Sequence, residues 1–185
     1  MEKVLIVGAG GLGRMTMEVL ENFYDCYFID DNIKAGTIIC GCEVIGTISD
    51  LKQLNEKFKK IVIAIGNNKL REKISTLCEV IGYDFPIVVN HTAYVSKYAV
   101  LKNGCIILSN ASIQNGAKIG KGVVITANVE IHHDCEIDDY ALIYSNSTVR
   151  TNAHIGKRAK IGSNVSISND VKINEDEEIQ NGETI

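Results

Sequence analysis

Stepping by six from Val89, the chain places an aliphatic residue at Val95, Leu101, Ile107, Ile113, Ile119, Ile125, Ile131, Ile137, Ile143, Val149, Ile155, Ile161, Ile167 and Ile173, without exception. Four residues after each beat stands a small or compact residue: Ala93, Ala99, Cys105, Ala111, Ala117, Val123, Val129, Cys135, Ala141, Ser147, Ala153, Ala159, Val165 and Val171. A helix of period 3.6 would scatter this pattern around its circumference. A repeat of six with one bulky and one small inward residue instead marks a parallel β-helix. Each hexapeptide supplies one short strand and a turn, and three of them close a triangular coil. The aliphatic residues then stack in columns down a dry interior while the backbone pairs from coil to coil.

The repeat leaves about 88 residues ahead of it, enough for a separate small core. Two domains are expected, residues 1–86 and 87–174, with the chain's one proline, Pro86, at the boundary. Residues 175–185 carry acids and no Lys or Arg, and the small inward position becomes Glu177 and then Glu183, so a frayed or capping tail is expected there. No apolar run reaches 18 residues, and the first residues enter a strand-like segment with no basic leader, which predicts a soluble cytoplasmic protein. A formal charge of −4 argues against a nucleic-acid partner. Residues 89–174 nevertheless hold nine Lys/Arg against six Asp/Glu, which suits an anionic ligand. The six cysteines form no CxxC pair, and Cys105 and Cys135 fall on the small inward position, where they read as core filler.

From the start of the chain, residues 3–7 are a short apolar run ending in Gly8-Ala9-Gly10-Gly11-Leu12-Gly13. Strand, glycine turn and helix is the natural reading, with Met15, Val19, Leu20 and Phe23 on the buried side of the helix. A second strand over residues 26–29 ends in Asp30-Asp31. Ser49 or Asp50 then caps a helix through Leu51, Leu54 and Phe58. A strand over 60–65 runs into Gly66-Asn67, and a helix follows over 69–81. Strands alternating with helices imply a small Rossmann-like parallel sheet whose loops gather at the strand C-termini. A GxGxxG run alone is compatible with a tight strand-to-helix crossover and no ligand. Its functional reading is that Gly8, Gly10, Gly11 and Gly13 let a phosphate approach the N–H groups at the helix start. Asp30 or Asp31 would accept hydrogen bonds from ribose or sugar hydroxyls, and Gly66-Asn67 would close the crevice. So small a sheet favours a mononucleotide or nucleotide-sugar over NAD and disfavours an oxidoreductase.

Within the array most outward residues are Asn, Lys, Gly or Ser, as expected where a chain bends every six residues. Against that filler, residues 126–135 stand out, because His132, His133 and Asp134 are adjacent there. His132 should lie on a flat face and His133 at a turn, within reach of a neighbouring subunit. An imidazole beside a carboxylate suits a general base at neutral pH. The alternatives are an exposed histidine pair or a metal pair, but no third ligand stands at a suitable spacing, so no metal is expected. His91 and His154 read as incidental surface residues.

The stretches GAGGLGR at 8–14, FIDDN at 28–32, VIAIGNNKLREKI at 62–74, FPIVVNHTAYVS at 85–96 and IHHDCEIDDY at 131–140 together resemble the bacterial sugar O-/N-acyltransferases of the sialic acid O-acetyltransferase and UDP-amino-sugar N-acetyltransferase type. The resemblance implies a Rossmann-like domain followed by a left-handed parallel β-helix. It implies a homotrimer with active sites between subunits, using acetyl-CoA to acetylate an amino group, or less often a hydroxyl, of a nucleotide-sugar in surface-glycan synthesis. His133 would be the general base with Asp134 as its orienting neighbour. The glycine loop, Asp30, Asp31, Gly66 and Asn67 would hold the nucleotide-sugar. Coils after the histidine, at Leu142, Thr151, Gly162 and Ser163, would hold CoA, with Lys157, Arg158 and Lys160 toward its phosphates. The chain departs from the family where Thr126 replaces an Asn, its hydroxyl expected to substitute as a hydrogen-bond partner in substrate binding, where Leu142 replaces a second histidine, and where the acidic tail replaces a CoA-covering segment. These departures motivate a rival reading, a nucleotide-sugar-binding or regulatory protein that has lost acyl transfer.

Overall fold

Three apolar runs, each ending in a turn that the next helix or loop can pack against, build the parallel sheet of the first unit. The computed structural model describes all 185 residues and divides into two units, Met1–Pro86 and Ile87–Ile185. The first contains β1 (Glu2–Val7), α1 (Gly11–Leu20), β2 (Tyr24–Ile29), the short pair β3 (Ile38–Ile39) and β4 (Cys42–Glu43), α2 (Leu51–Leu54), β5 (Lys60–Ile63) and α3 (Asn68–Ile81). The sheet order is β2-β1-β5, all parallel, with Val4 opposite Cys26 on one side and Lys60 on the other. Val4, Leu5, Ile6 and Val7 are buried on both faces, as a central parallel strand requires. No helix is long and apolar enough to cross a membrane.

Two local expectations fail here. Met15 is 45% and Phe23 68% exposed, because α1 buries the stripe Gly13, Thr16, Met17, Val19 and Leu20, while Phe23 lies beyond the helix end. The expected helix through Phe58 stops at Leu54. Asp50 does take its N-cap position, but its carboxylate turns back to accept from the N–H and hydroxyl of Thr47, each at 2.9 Å, around the 3-10 turn Ile48–Asp50 that Thr47 caps. Phe58 is buried instead from a loop, edge-on to Tyr27 at 5.2 Å between ring centroids.

The second unit is a left-handed parallel β-helix of two-residue strands. Every strand pairs with the one 18 residues later, as Ser112 with Glu130 and Glu130 with Thr148. The first face has six strands, from Val88–Val89 through Ile106–Ile107, Val124–Ile125, Leu142–Ile143 and Lys160–Ile161 to Glu178–Ile179. The second face carries five, including Tyr94–Val95, Ser112–Ile113 and Glu130–Ile131, and the third five, including Lys118–Ile119, Glu136–Ile137 and His154–Ile155. The aliphatic beat residues fill the interior, and each full burial of such a side chain contributes about 2 kcal/mol.

The corners explain the filler. From Gly104 to Gly182 every sixth residue has positive φ, among them Asn110, Gly116, Asn128, Asp134, Asn146, Asn152 and Asn164. Asn, Asp and Gly occupy this left-handed conformation with the least strain. Three residues at the small inward position follow one rule, donating to a carbonyl fifteen residues on. Ser147 Oγ reaches Gly162 O at 2.7 Å, Cys105 Sγ reaches Gly120 O at 3.0 Å, and Cys135 Sγ reaches Arg150 O at 3.0 Å.

Residues 175–185 are not a separate tail. Glu178–Ile179 pairs with Lys160–Ile161, Thr184 bridges Ser166, and Ile179 is buried, so the array runs on. Glu177 leaves the interior dry by turning its carboxylate back to accept from Asn174 N and Nδ2 at 2.8 and 2.9 Å.

Candidate active site

In the first unit the glycine loop is built by close backbone approach. Gly8, at φ +95°, donates to Ile29 O at 2.9 Å, and a Cβ on Gly13 would stand 1.8 Å from Gly8 O. Gly10 and Gly11 differ, since a Cβ on either would meet nothing within 4 Å. Gly10 caps α1 without a side chain, so the first-turn N–H groups, which lack intrahelical partners, open onto this space. Asp30 is already engaged: Oδ2 accepts from Ala9 N and Oδ1 from Asn32 N, both at 2.9 Å, so it fastens the loop to the end of β2. Asp31 accepts from Ile48 N at 2.9 Å and lines a cavity of about 580 Å³ with Thr47, Ser49, Lys52, Leu77 and Ile81. Asn67 caps α3, its Oδ1 accepting from Leu70 N at 2.9 Å, and Gly66 precedes it. The buried Arg71, unremarked in the sequence, donates to Ile65 O at 2.7 Å and steadies the same loop.

In the second unit one corner joins the second face to the third. Asp134 takes the left-handed position, φ +61°, which turns its carboxylate to His133, Nδ1 to Oδ2 2.8 Å. His133 Nε2 lies 3.1 Å from Thr151 Oγ1, one coil on. Gly116, one coil before Asp134, leaves room for that carboxylate, because a Cβ there would stand 2.2 Å from Asp134 Oδ1. His133 and Asp134 are exposed and border a cavity of about 410 Å³ with Tyr94, Gln114 and Asn115. Gln114 Nε2 donates to Glu130 Oε1 at 3.0 Å, and Glu130 also faces His132 Nε2 at 3.5 Å. The neighbouring thiol of Cys135 turns inward, and burial pushes it up to about 11, which removes it as a nucleophile at neutral pH. No three His, Cys, Asp or Glu side chains gather as a metal-binding group.

The other expected residues scatter over different corners. Thr126 is buried, its hydroxyl bonding Ile143 O at 3.2 Å and Ser145 Oγ at 3.0 Å, so that group is spent inside the array. Leu142 is 1% exposed on the first face and offers no surface to a ligand. Arg158 binds Asp176 through Nε and Nη2, each at 2.8 Å, and also Glu175; Lys160 Nζ meets Glu178 Oε1 at 2.5 Å. The last coil thus supplies carboxylates to two of the three cations expected to meet phosphates. Lys157 shares the corner of Arg158. Gly162 and Ser163 stand at the remaining corner, where Ser163 N donates to Asn181 Oδ1 at 2.8 Å. Of the seven expected CoA residues only Thr151 joins His133. His154 is not incidental, for its Nε2 lies 2.8 Å from Asp138 Oδ2 on the third face.

A small parallel sheet with an open glycine loop, followed by a left-handed β-helix, is the architecture of a hexapeptide-repeat protein with an added N-terminal sheet domain. Residues 3–77 match the PglD N-terminal domain family, and residues 98–133 and 116–151 match the bacterial transferase hexapeptide (six repeats) family. GDP-perosamine N-acetyltransferase of Escherichia coli O157:H7 is 31% identical over 125 residues, 63% of this chain and 55% of that protein. The match thus spans about half the length of that curated relative. The acetyltransferase domain of PglB from Neisseria gonorrhoeae FA1090, solved in complex with acetyl coenzyme A, superposes with a TM-score of 0.92 at 27% identity, covering 98% of this chain and 89% of that one. A variant of perosamine N-acetyltransferase from Caulobacter crescentus, in complex with CoA and GDP-perosamine, shares the fold with a TM-score of 0.94 at 22% identity, covering 100% of this chain and 89% of that one. Both units of the chain are thus similar to those of bacterial sugar acyltransferases.

Proposed function

We propose that this protein transfers the acetyl group of acetyl-CoA to an amino group, or a hydroxyl, of a nucleotide-activated sugar for surface-glycan synthesis, with His133 as general base. The observation that carries the proposal is the His133–Asp134 pair, Nδ1 to Oδ2 2.8 Å, exposed beside a cavity. A carboxylate at Nδ1 makes that nitrogen the donor and leaves the lone pair on Nε2. The acceptor amine attacks the thioester carbonyl, Nε2 takes the amine proton, the C–S bond breaks, and the CoA thiolate leaves to be protonated. Holding both substrates in place supplies most of the rate, so no nucleophilic side chain is needed. The open Gly10-Gly11 loop, with Asp31 and its cavity, receives the nucleotide. Three copies of a cytoplasmic chain complete each site between subunits, which accords with a base that stands at an exposed corner.

The burial of Leu142 and the pairing of Arg158 and Lys160 with acids favour a second reading, a nucleotide-sugar-binding protein without acyl transfer. Incubating the protein with acetyl-CoA and a panel of nucleotide amino-sugars, and following free thiol, separates the two. Turnover that vanishes in His133→Ala at unchanged oligomeric state supports the proposal. Absence of turnover with every acceptor, together with absence of CoA binding, sinks it.

A further inference from the structure

The neutral imidazole of His133 must donate at one nitrogen and accept at the other. Asp134 Oδ2, 2.8 Å from Nδ1, accepts only, so Nδ1 carries the proton and Nε2 the lone pair. Thr151 Oγ1, 3.1 Å from Nε2, is therefore a donor to the atom that must receive the substrate's proton. Thr151 lies 18 residues after His133, the offset that stacks one coil on the next, and its own carbonyl is fixed by Asp170 N at 3.0 Å. The column at this offset reads Lys97, Asn115, His133, Thr151 and Asn169, which sets Thr151 directly beside His133. The ring is thus gripped at both nitrogens, by Asp134 in its own coil and by Thr151 in the next, while Asn115, Gln114 and Tyr94 border its cavity from earlier coils.

We propose that Thr151 is a positioning residue for the transfer just described. Its hydroxyl holds the Nε2 lone pair when no acceptor is present. With Asp134, which fixes the Nδ1-protonated tautomer, it holds the imidazole in place, and it yields Nε2 to the acceptor's N–H or O–H. Because the inference rests on His133 as base, its test reads the hydrogen bond and the catalysis separately.

The variants are Thr151→Val, which keeps the branched shape without the hydroxyl, and Thr151→Ser, which keeps the hydroxyl. Long-range 15N–1H spectra of the imidazole report the tautomer in the free protein. Steady-state acetyl transfer reports kcat and the KM of each substrate. The expected result is a displaced His133 Nε2 resonance in Thr151→Val, because the lone pair loses its donor while Asp134 keeps Nδ1 protonated, with kcat down about tenfold and both KM values within about twofold, and both readouts restored in Thr151→Ser. A Thr151→Val protein with native imidazole shifts and native kcat overturns the inference. So does a loss confined to the KM for acetyl-CoA, or a loss that Thr151→Ser fails to restore. If the spectra respond as expected while no form turns over, the Thr151–His133 bond stands and the acetyl-transfer reading falls instead.

Discussion

Replacing Gly13 by alanine tests the physical reading of the glycine loop. A Cβ at Gly13 would stand 1.8 Å from Gly8 O, 2.9 Å from Gly8 C and 3.5 Å from Phe28 Cε1. A carbon needs roughly 3.3 Å from a carbonyl oxygen. The N-terminal end of α1 must therefore retreat by about 1.5 Å, drawing Thr16, Met17 and Leu20 away from the sheet. The obstacle is backbone, which no rotamer change relieves, so the cost belongs at the upper end of overpacking, about 3 kcal/mol. Alanine's better helix propensity returns about 1 kcal/mol, leaving a net loss of about 2 kcal/mol. At a urea dependence of about 2 kcal/mol per molar the midpoint falls by about 1 M. Circular dichroism at 222 nm isolates this event, because all three α-helices lie in the first unit. Gly11→Ala is the control: its methyl meets nothing within 4 Å, so its midpoint should equal or exceed the native one while nucleotide-sugar binding weakens. A native midpoint for Gly13→Ala, or an equal fall for Gly11→Ala, would refute the reasoning.

Ser147→Ala leaves Gly162 O and Val165 N without their buried partner, and thermal melts should show a loss of about 1–3 kcal/mol, partly recovered in Ser147→Cys because Cys105 and Cys135 already serve the same role. Gly116→Ala must displace the Asp134 carboxylate from His133. Acetyl transfer should drop about tenfold or more in kcat while the fold persists, and native kcat would count against Asp134 as orienter. The Asp50 carboxyl is held below the ordinary range by the Thr47 N–H and then by the Thr47 hydroxyl. A depressed folded value means its contribution is present above the unfolded aspartate value and is lost as pH falls through the folded one. The urea midpoint of Asp50→Asn should therefore lie below the native one at pH 7 and approach it only as pH falls below the ordinary aspartate range.

The β-helix was legible because its interior admits one solution. A chain turning every six residues can keep its core dry only if the beat positions are aliphatic and the fourth position after each is compact. The His133-Asp134 corner was legible for the complementary reason, as a chemical exception at a position otherwise filled by residues suited to bending. The three-helix reading of the first unit was right in order and wrong in detail. Met15 and Phe23 are apolar and sit at helical spacing, yet burial went to Thr16 and Met17, because the phase of α1 is set by Gly13 against Gly8. Leu142 and Arg158 were placed toward CoA by analogy of position. Their surroundings, a buried first-face site and the acids of the last coil, lie 17 or 18 residues away along the chain.

By itself the sequence determined the inward residues, the corners and the period of 18, since each follows from closing a coil around an apolar column. It also marked Gly8 to Gly13 as a place where backbone must approach closely. Only the tertiary structure decided what faces what outside that column. It set Thr151 against His133, emptied Gly116 beneath Asp134, tied Asp30 to Ala9 and folded the acids of residues 175–185 onto Arg158 and Lys160. The division has one physical cause. Apolar burial is non-directional and writes itself into a one-dimensional pattern, whereas polar contacts depend on reach and angle between side chains that meet only once the coils have stacked.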